Sequence, residues 1–343
     1  MKVLLNSLFI TIENAYASLD GENVVVKQKD DTLARFPLHI LDAIYIFSYS
    51  GASPALMGKC ADKGIDLVFC SPSGRFLART CGMSRGNVLL RRKQYRFADS
   101  EKESCKIARN FIFGKIRNSR QVIERAKRDH ALKLDIDALS KISDYLKTQL
   151  EEVLQANDLE SLRGIEGKSA SQYFSVFDDL ILTSKDSFYY HGRNRRPPLD
   201  NVNALLSYAY TMLGSSCASA LETVGLDSYV GFMHRDRPGR TSLAQDLMEE
   251  LRPCMADRFV LTLINNKIVD QADFILQENG SVLLTNDGRK KVQKEWQVKK
   301  KEKIMHPYLK EKMEWGLIPY AQAMLLARYL REDLDGYPPF LWR

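Results

Sequence analysis

The spacing of apolar residues changes abruptly near residue 85, and no single-layer fold accommodates both halves of that change. Up to about residue 80 the chain is a series of short β-branched and aromatic runs, "KVLL", "LFITIE", "AYASL", "VVVKQ", "LARFPL" and "AIYIFS", separated by turn residues. Asp20-Gly21 is a hairpin turn. One helix interrupts the strands: Ser53 caps it, Pro54 fits its first position and Gly64 follows its end. "IDLVFC" and "RFLART" then return as strands around "SPSG". Beyond residue 85, Ile107, Phe111, Ile112 and Ile116 repeat at helical intervals between basic residues, and "LKLDIDALSKISDYLKTQLEEVLQ" continues as an amphipathic helix. Almost every later periodic segment is helical, apart from a small hairpin in "DFILQENGSVLLT" that turns at Asn279-Gly280. The expected fold is α+β, with a small β-sandwich-like domain over residues 1–84 and a larger all-α domain over residues 85–343.

The length of 343 residues suits two domains, and an apolar fraction of 45% is that of an ordinary globular chain. The six cysteines (60, 70, 81, 105, 217 and 254) include no C-x-x-C pair and no zinc spacing, which reads as reduced thiols in a cytoplasm. No apolar run approaches the length of a membrane span. "MKVLLNSLFITIENAYAS" loosely mimics a signal peptide, but Asn6, Ser7 and Glu13 break the pattern, and strands are the better reading.

The net charge of +7 is unevenly spread. Residues 1–84 carry eight basic and eight acidic side chains, residues 85–133 fifteen against five, and residues 289–312 ten against three. The two basic blocks together hold +17, which leaves −10 for the remainder. One such block is an ordinary solvated helix face. Two on an otherwise acidic chain point to a polyanion, nucleic acid first.

A chemical constellation lies in "HRDRPGRTSLAQDLMEELRP", His234 to Pro253. Ser242 and Gln245 have the S-x-x-Q spacing of a capping box. Leu243, Leu247, Leu251, Met255, Phe259 and Leu263 form an apolar stripe, with Asp246 and Glu249 neighbours beside it. Pro253 denies the Glu249 carbonyl its helical donor, so a bend is expected there. Upstream, Glu166 shares a helix face with Ala170, Tyr173 and Phe177, a costly place for a carboxylate without a cation. The bland alternatives are a dipole-favoured glutamate in a first helical turn, a hydrogen-bonded loop histidine and a solvated acidic face. Together, Glu166, His234 and Glu249, with Asp246 beside them, offer oxygen and nitrogen ligands without thiolate, which suits Mg²⁺ or Mn²⁺. "FYYHGRNRRPPLDNVNALLSYAYTML" adds aromatics with Arg193, Arg195 and Arg196, suited to phosphate contacts and base stacking, and Asp200 caps the next helix.

Three blocks in order, "GIEGKSASQYF", "RNRRPPLDNVNALLSYAYTML" and "GFMHRDRPGRTSLAQDLMEELRP", resemble the signatures of the CRISPR-associated spacer-acquisition integrases, the Cas-one family. The likeness runs through nearly the whole chain, and the closing "GLIPYAQAMLLARYLREDLDGYPPFLWR" is similar to type I-C members. The resemblance implies a homodimer built through the β domains, with the small Cas-two protein bridging two dimers, and a divalent-metal site made by Glu166, His234 and Glu249. It gives Asp246 a role that varies between metal contact and support, places the basic residue after the last ligand at Arg252, and lines the site with Asn203, Ser207 and Tyr208. The implied activity is a metal-dependent DNA integrase. The 3′-hydroxyl of captured double-stranded DNA attacks a phosphodiester at a CRISPR repeat, and endonuclease activity follows when water replaces the hydroxyl. Arg252, Arg193, Arg195 and Arg196 are expected to neutralise phosphates, and Lys299, Lys300 and Lys301 to track a DNA backbone. A hydrolytic repair nuclease and a non-catalytic DNA-bridging scaffold remain open alternatives.

Overall fold

The structure, a computed structural model, describes residues 7–29, 31–41, 43–72, 76–80, 88–194 and 197–342. Alternating apolar runs pair as two sheets. β1 (Ser7–Ile10), β2 (Ala15–Asp20), β3 (Asn23–Gln28), β4 (Asp31–Pro37) and β5 (Ala43–Ile46) precede α1 (Pro54–Lys63), followed by β6 (Asp66–Cys70) and β7 (Phe76–Arg79). β2, β3 and β4 form an antiparallel meander in which Asp20 faces Asn23, so Gly21 and Glu22 make the turn. The second sheet has the order β1-β5-β6-β7, parallel except at its last pair. α1 supplies the crossover between parallel β5 and β6; Ser53 Oγ accepts from the Leu56 N–H, and Gly64 ends the helix in the left-handed region. Ala17, Val24 and Val26 of one sheet meet Ile44, Ile46 and Leu67 of the other in a single buried cluster, closed by Leu56 and Cys60 of α1. The expected strand "KVLL" and the end of the "SPSG" turn lie outside the described residues.

The chain then becomes helical: α2 (Val88–Asp99), α3 (Glu101–Asp129), α4 (Ile136–Gln155), α5 (Leu159–Ser175), α6 (Asn201–Thr223), α7 (Ser242–Leu251) and α8 (Arg258–Asn265). Ser100, Asp135, Asp158 and Asp200 each cap a helix through the side-chain oxygen. Every residue of the stripe from Leu243 to Leu263 is buried. The bend at Pro253 takes the form of a wide π turn over Arg252–Asp257 that joins α7 to α8 without breaking the helical path. The capping box does not form. Ser242 is the first helical residue, its Oγ donates to the Arg235 carbonyl, and Gln245 accepts from Arg252 instead.

Two compact units result, and they are not separated by one cut near residue 85. Met1–Arg85 groups with Val269–Glu302, and Gly86–Ile268 groups with Lys303–Arg343. A change in composition marks where a chain leaves a domain, but the basic run that begins at Arg289 continues past Glu302 into the second unit, so composition does not mark the return. That segment holds the expected hairpin, β8 (Phe274–Leu276) with β9 (Val282–Leu284), and α9 (Asn286–Lys301). The second unit is mainly helical rather than all-α, because β10 (Lys303–Met305) pairs with β11 (Lys312–Glu314) before α10 (Ile318–Leu330).

Within the second unit the C-terminal segment locks α7 against α3. Glu250 Oε1 accepts from Tyr337 (2.5 Å) and Gln322 (2.8 Å), and Oε2 accepts from the Phe340 N–H (2.9 Å). Burial nevertheless pushes its carboxyl up to about 7. Asn118 of α3 donates to the Glu250 carbonyl and to the Phe340 carbonyl. The helices approach closely at Gly114, where a Cβ would stand 2.8 Å from the Glu250 Cβ. Gly114→Ala gains about 1 kcal/mol of helix propensity and loses about 1–3 kcal/mol to overlap in a packed core. The expected outcome is a net loss of stability, read as a lower urea midpoint at unchanged m; a stabilised variant would contradict this packing.

Candidate active site

α7 carries Asp246, Glu249 and Glu250 within five residues, and all three are buried. A buried carboxylate persists only when hydrogen bonds or cations replace its water, so each recruits partners from a different direction. Asp246 recruits the loop before the helix. Its Oδ2 accepts from the N–H groups of Phe232 (2.6 Å) and Met233 (3.0 Å), and its Oδ1 from the N–H of His234 (3.0 Å). Gly231 makes this wrap possible, since a Cβ there would lie 3.0 Å from Asp246 Oδ2 and 2.9 Å from the His234 carbonyl. The same Oδ1 is 2.5 Å from His234 Nδ1. An acceptor at that distance assigns the proton to Nδ1 and leaves the Nε2 lone pair available. With both oxygens so engaged, Asp246 orients the histidine from behind.

His234 Nε2 faces Glu249, 4.0 Å from its Oε1. Glu249 Oε1 also pairs with Arg252 one turn on (2.9 Å), and Oε2 lies 2.7 Å from Lys115 Nζ as an ion pair. Burial alone would raise the Glu249 carboxyl, but Arg252, Lys115 and His234 outweigh it and hold it down to about 2. Lys115, from the middle of α3, also bonds Glu166 of α5. Burial opposes its charge, yet Glu249 and then Glu166 hold its ammonium above the usual lysine range. Glu166 sits in the interior of α5, not in its first turn, and its side chain is 23% exposed, so it forms the outer edge of the cluster.

Glu166, Lys115 and Arg252 line one open cavity of about 960 Å³, together with Arg193, Tyr210 and Asp257. Arg193 is held by Asn203 (2.6 Å) and Ser207 (3.2 Å), and both Arg193 and Arg252 lie over the Tyr210 ring, at 5.3 and 5.1 Å. The Tyr210 hydroxyl donates to Asp257 (2.5 Å), whose carboxyl burial pushes up to about 6. The Tyr190 hydroxyl is buried on the same wall without a hydrogen-bond partner among the described residues.

The structure therefore gathers Glu166, His234, Asp246, Glu249, Arg252 and Arg193 in one place. Asp246 takes the supporting role, one of the two that the resemblance allowed it, and Arg252 pairs with Glu249. Tyr208 is buried and does not line the cavity; Tyr210 does. Arg195 and Arg196 lie outside the described residues. Lys299, Lys300 and Lys301 belong to the other compact unit, where Lys299 pairs with Glu302 at 2.5 Å and Lys300 is buried. Lys115 went unremarked in the sequence. Its signal was a cation in the α3 stripe Ile107, Phe111, Lys115, Asn118, Val122, all of it buried.

Two carboxylates and one imidazole nitrogen are, as donor types, a set that suits Mg²⁺ or Mn²⁺. Among the described residues no three such groups stand at ligating spacing, because the Lys115 ammonium occupies the position between Glu166 and Glu249. The ammonium shows that this point accepts positive charge. The donor types fit the metal, and their present spacing, with Lys115 between the carboxylates, does not.

A profile described as "CRISPR associated protein Cas1" matches residues 8–298. The chain is 46% identical over 343 residues to the "CRISPR-associated endonuclease Cas1 1" of Chlorobaculum tepidum, covering the whole of both chains. Its fold is similar to that of a casposase bound to integration product (TM-score 0.83, 22% identity, 98% of this chain and 94% of that one). It is also similar to a chain of a Cas6-RT-Cas1–Cas2 complex (TM-score 0.81, 22% identity, 100% of this chain and 36% of that one). Glu166 and Glu249 meet at Lys115, His234 faces Glu249, and the chain, matched from end to end, belongs to the CRISPR-associated Cas1 family.

Proposed function

We propose that this chain is a divalent-metal-dependent DNA integrase and endonuclease of CRISPR adaptation. It joins the 3′-hydroxyl ends of captured double-stranded DNA to a CRISPR repeat by transesterification. The carrying observation is the convergence of Glu166, His234 and Glu249, from two helices and a loop, beside a cavity that also presents Arg193 and Arg252. Mg²⁺ or Mn²⁺ held by Glu166, Glu249 and His234 Nε2 supplies a lowered hydroxyl pKa, a polarised phosphoryl oxygen and a stabilised leaving oxygen.

The chain's own residues do the rest. Asp246 fixes the ring of His234 so that Nε2 faces the site. Arg252 holds Glu249 Oε1 from one helical turn further on. Arg193, anchored by Asn203 and Ser207, stands ready for a phosphate oxygen in the cavity. One phosphodiester is exchanged for another, so no external energy source is needed, and alignment of two duplexes supplies much of the rate. Water in place of the hydroxyl gives hydrolysis, in keeping with the word endonuclease in the names of the relatives. The partners that complete the reaction are DNA, a second copy of this chain paired through the strand-rich N-terminal region, and a Cas2 protein bridging two dimers. Fold neighbours titled as a Cas1–Cas2 complex and as a casposase on integration product support that assembly.

Glu166→Ala is expected to abolish strand transfer of a short duplex into a repeat-bearing plasmid while leaving DNA binding intact. Integration near the native rate would remove the site assignment, and hydrolysis without strand transfer in the wild type would favour a repair nuclease. Asp246→Asn places an amide donor among backbone N–H donors and frees the imidazole. Loss of such an orienting partner lowers activity or metal affinity on the order of 10- to 100-fold. Native strand-transfer rates in that variant would mean His234 needs no positioning. Lys294 and Lys301 are exposed on α9. Reversing both to Glu is expected to weaken duplex binding and flatten its salt dependence, by about 0.9 in log–log slope for each phosphate no longer neutralised. An unchanged slope in fluorescence anisotropy would make this helix a solvated face.

A further inference from the structure

We infer that Lys115 is a tethered cation that holds the site closed before metal binds and must withdraw for metal to enter. Its Nζ bonds Glu166 and lies 2.7 Å from Glu249 Oε2, the two carboxylates on which the proposed metal site rests. The inference deepens that reading and depends on it. Two carboxylates facing each other inside a protein need a cation between them, because their mutual repulsion is poorly screened there. Arg252 pairs directly with Glu249 alone and reaches Glu166 only as a more distant charge, whereas Lys115 contacts both carboxylates. An ammonium and a divalent ion cannot share the same point, since each would face the other's full charge at contact distance.

The lysine is built to leave. Its backbone is fixed in the interior of the 29-residue helix α3, between buried Gly114 and Ile116. Its charge rides on four flexible methylenes, unlike the planar fork of an arginine. The cavity of about 960 Å³ that Lys115 lines gives the side chain room to swing away without moving α3. Metal-free protein thus keeps Glu166 and Glu249 on one cation, and metal affinity is set by the difference between two cations competing for one carboxylate pair.

The test is calorimetric titration of the full-length chain with Mn²⁺, together with thermal unfolding in EDTA and in Mn²⁺. Lys115→Met keeps the stem and removes the charge. It is expected to bind Mn²⁺ on the order of tenfold or more tightly, because a charge-assisted bond to each carboxylate no longer has to be broken. Its metal-free melting temperature is expected to fall by several degrees, and Mn²⁺ to restore most of the loss. Wild-type affinity together with a wild-type metal-free melting temperature would overturn the inference. A measurement on the wild-type chain covers the case in which the methionine variant does not fold. Acetic anhydride labelling followed by mass spectrometry should show Lys115 acetylated several-fold faster in saturating Mn²⁺ than in EDTA, and equal labelling would overturn the inference. Glu166→Ala separates the two levels. If it binds Mn²⁺ as the wild type does, the metal-site reading itself fails and the inference with it. If it loses Mn²⁺ while Lys115→Met is unchanged, the inference alone fails.

Discussion

Three carboxylates buried within five residues of one helix are the constraint on which the second unit depends. Asp246, Glu249 and Glu250 leave α7 in different directions, and each must be compensated or the helix cannot be buried. The loop 232–234 closes on Asp246, α3 and Arg252 supply cations to Glu249, and the C-terminal segment caps Glu250. Satisfying one carboxylate therefore fixes the loop that carries His234, another fixes the rotation of α7 against α3, and the third ties the last residues of the chain to the site. The C-terminal tail and the candidate site are thus joined through neighbouring residues of one helix, Glu250 bonding Phe340 and Glu249 pairing with Lys115.

Local features of the fold were readable from the sequence because local physics decides them. The Ser53-Pro54…Gly64 helix, the Asp200 cap, the hairpins at Gly21 and Gly280 and the bend at Pro253 each rest on a few neighbouring residues. Ser242 misled because a capping box is a preference that burial overrides: its hydroxyl found the Arg235 carbonyl instead. The return of residues 269–302 to the N-terminal unit was illegible, since a long-range grouping leaves no mark on composition. Glu166, His234 and Glu249 come from distant segments; their ligand chemistry grouped them as candidates, and the resemblance of three ordered blocks placed them in one site before the geometry did. Lys115 escaped because its helix is basic throughout, and one cation among many hides on an apolar stripe unless burial is known.

The basic blocks divide on inspection into charges already used and charges still presented. In the first block, Lys115 serves the site, Lys127 and Arg120 pair with Glu124, and Arg125 and Arg128 pair with Asp129. In the second, Lys290 pairs with Asp287 and Lys291 with Asp273, while Lys294 and Lys301 are exposed. Exposed pairs of this kind are worth little and yield readily to a polyanion. The excess charge is therefore available to DNA even where the free protein shows it paired. Among the described residues no helix is long and apolar enough to cross a membrane.

The central claim is that Glu166, His234 and Glu249 share one divalent ion. Anomalous diffraction from crystals grown with Mn²⁺, collected on both sides of the manganese absorption edge, tests it without reference to activity. The account predicts a single strong peak within coordination distance of a carboxylate oxygen of Glu166, a carboxylate oxygen of Glu249 and Nε2 of His234, with the Asp246–His234 bond retained. A peak at another place, or none at this point in crystals shown to contain bound manganese, would contradict it.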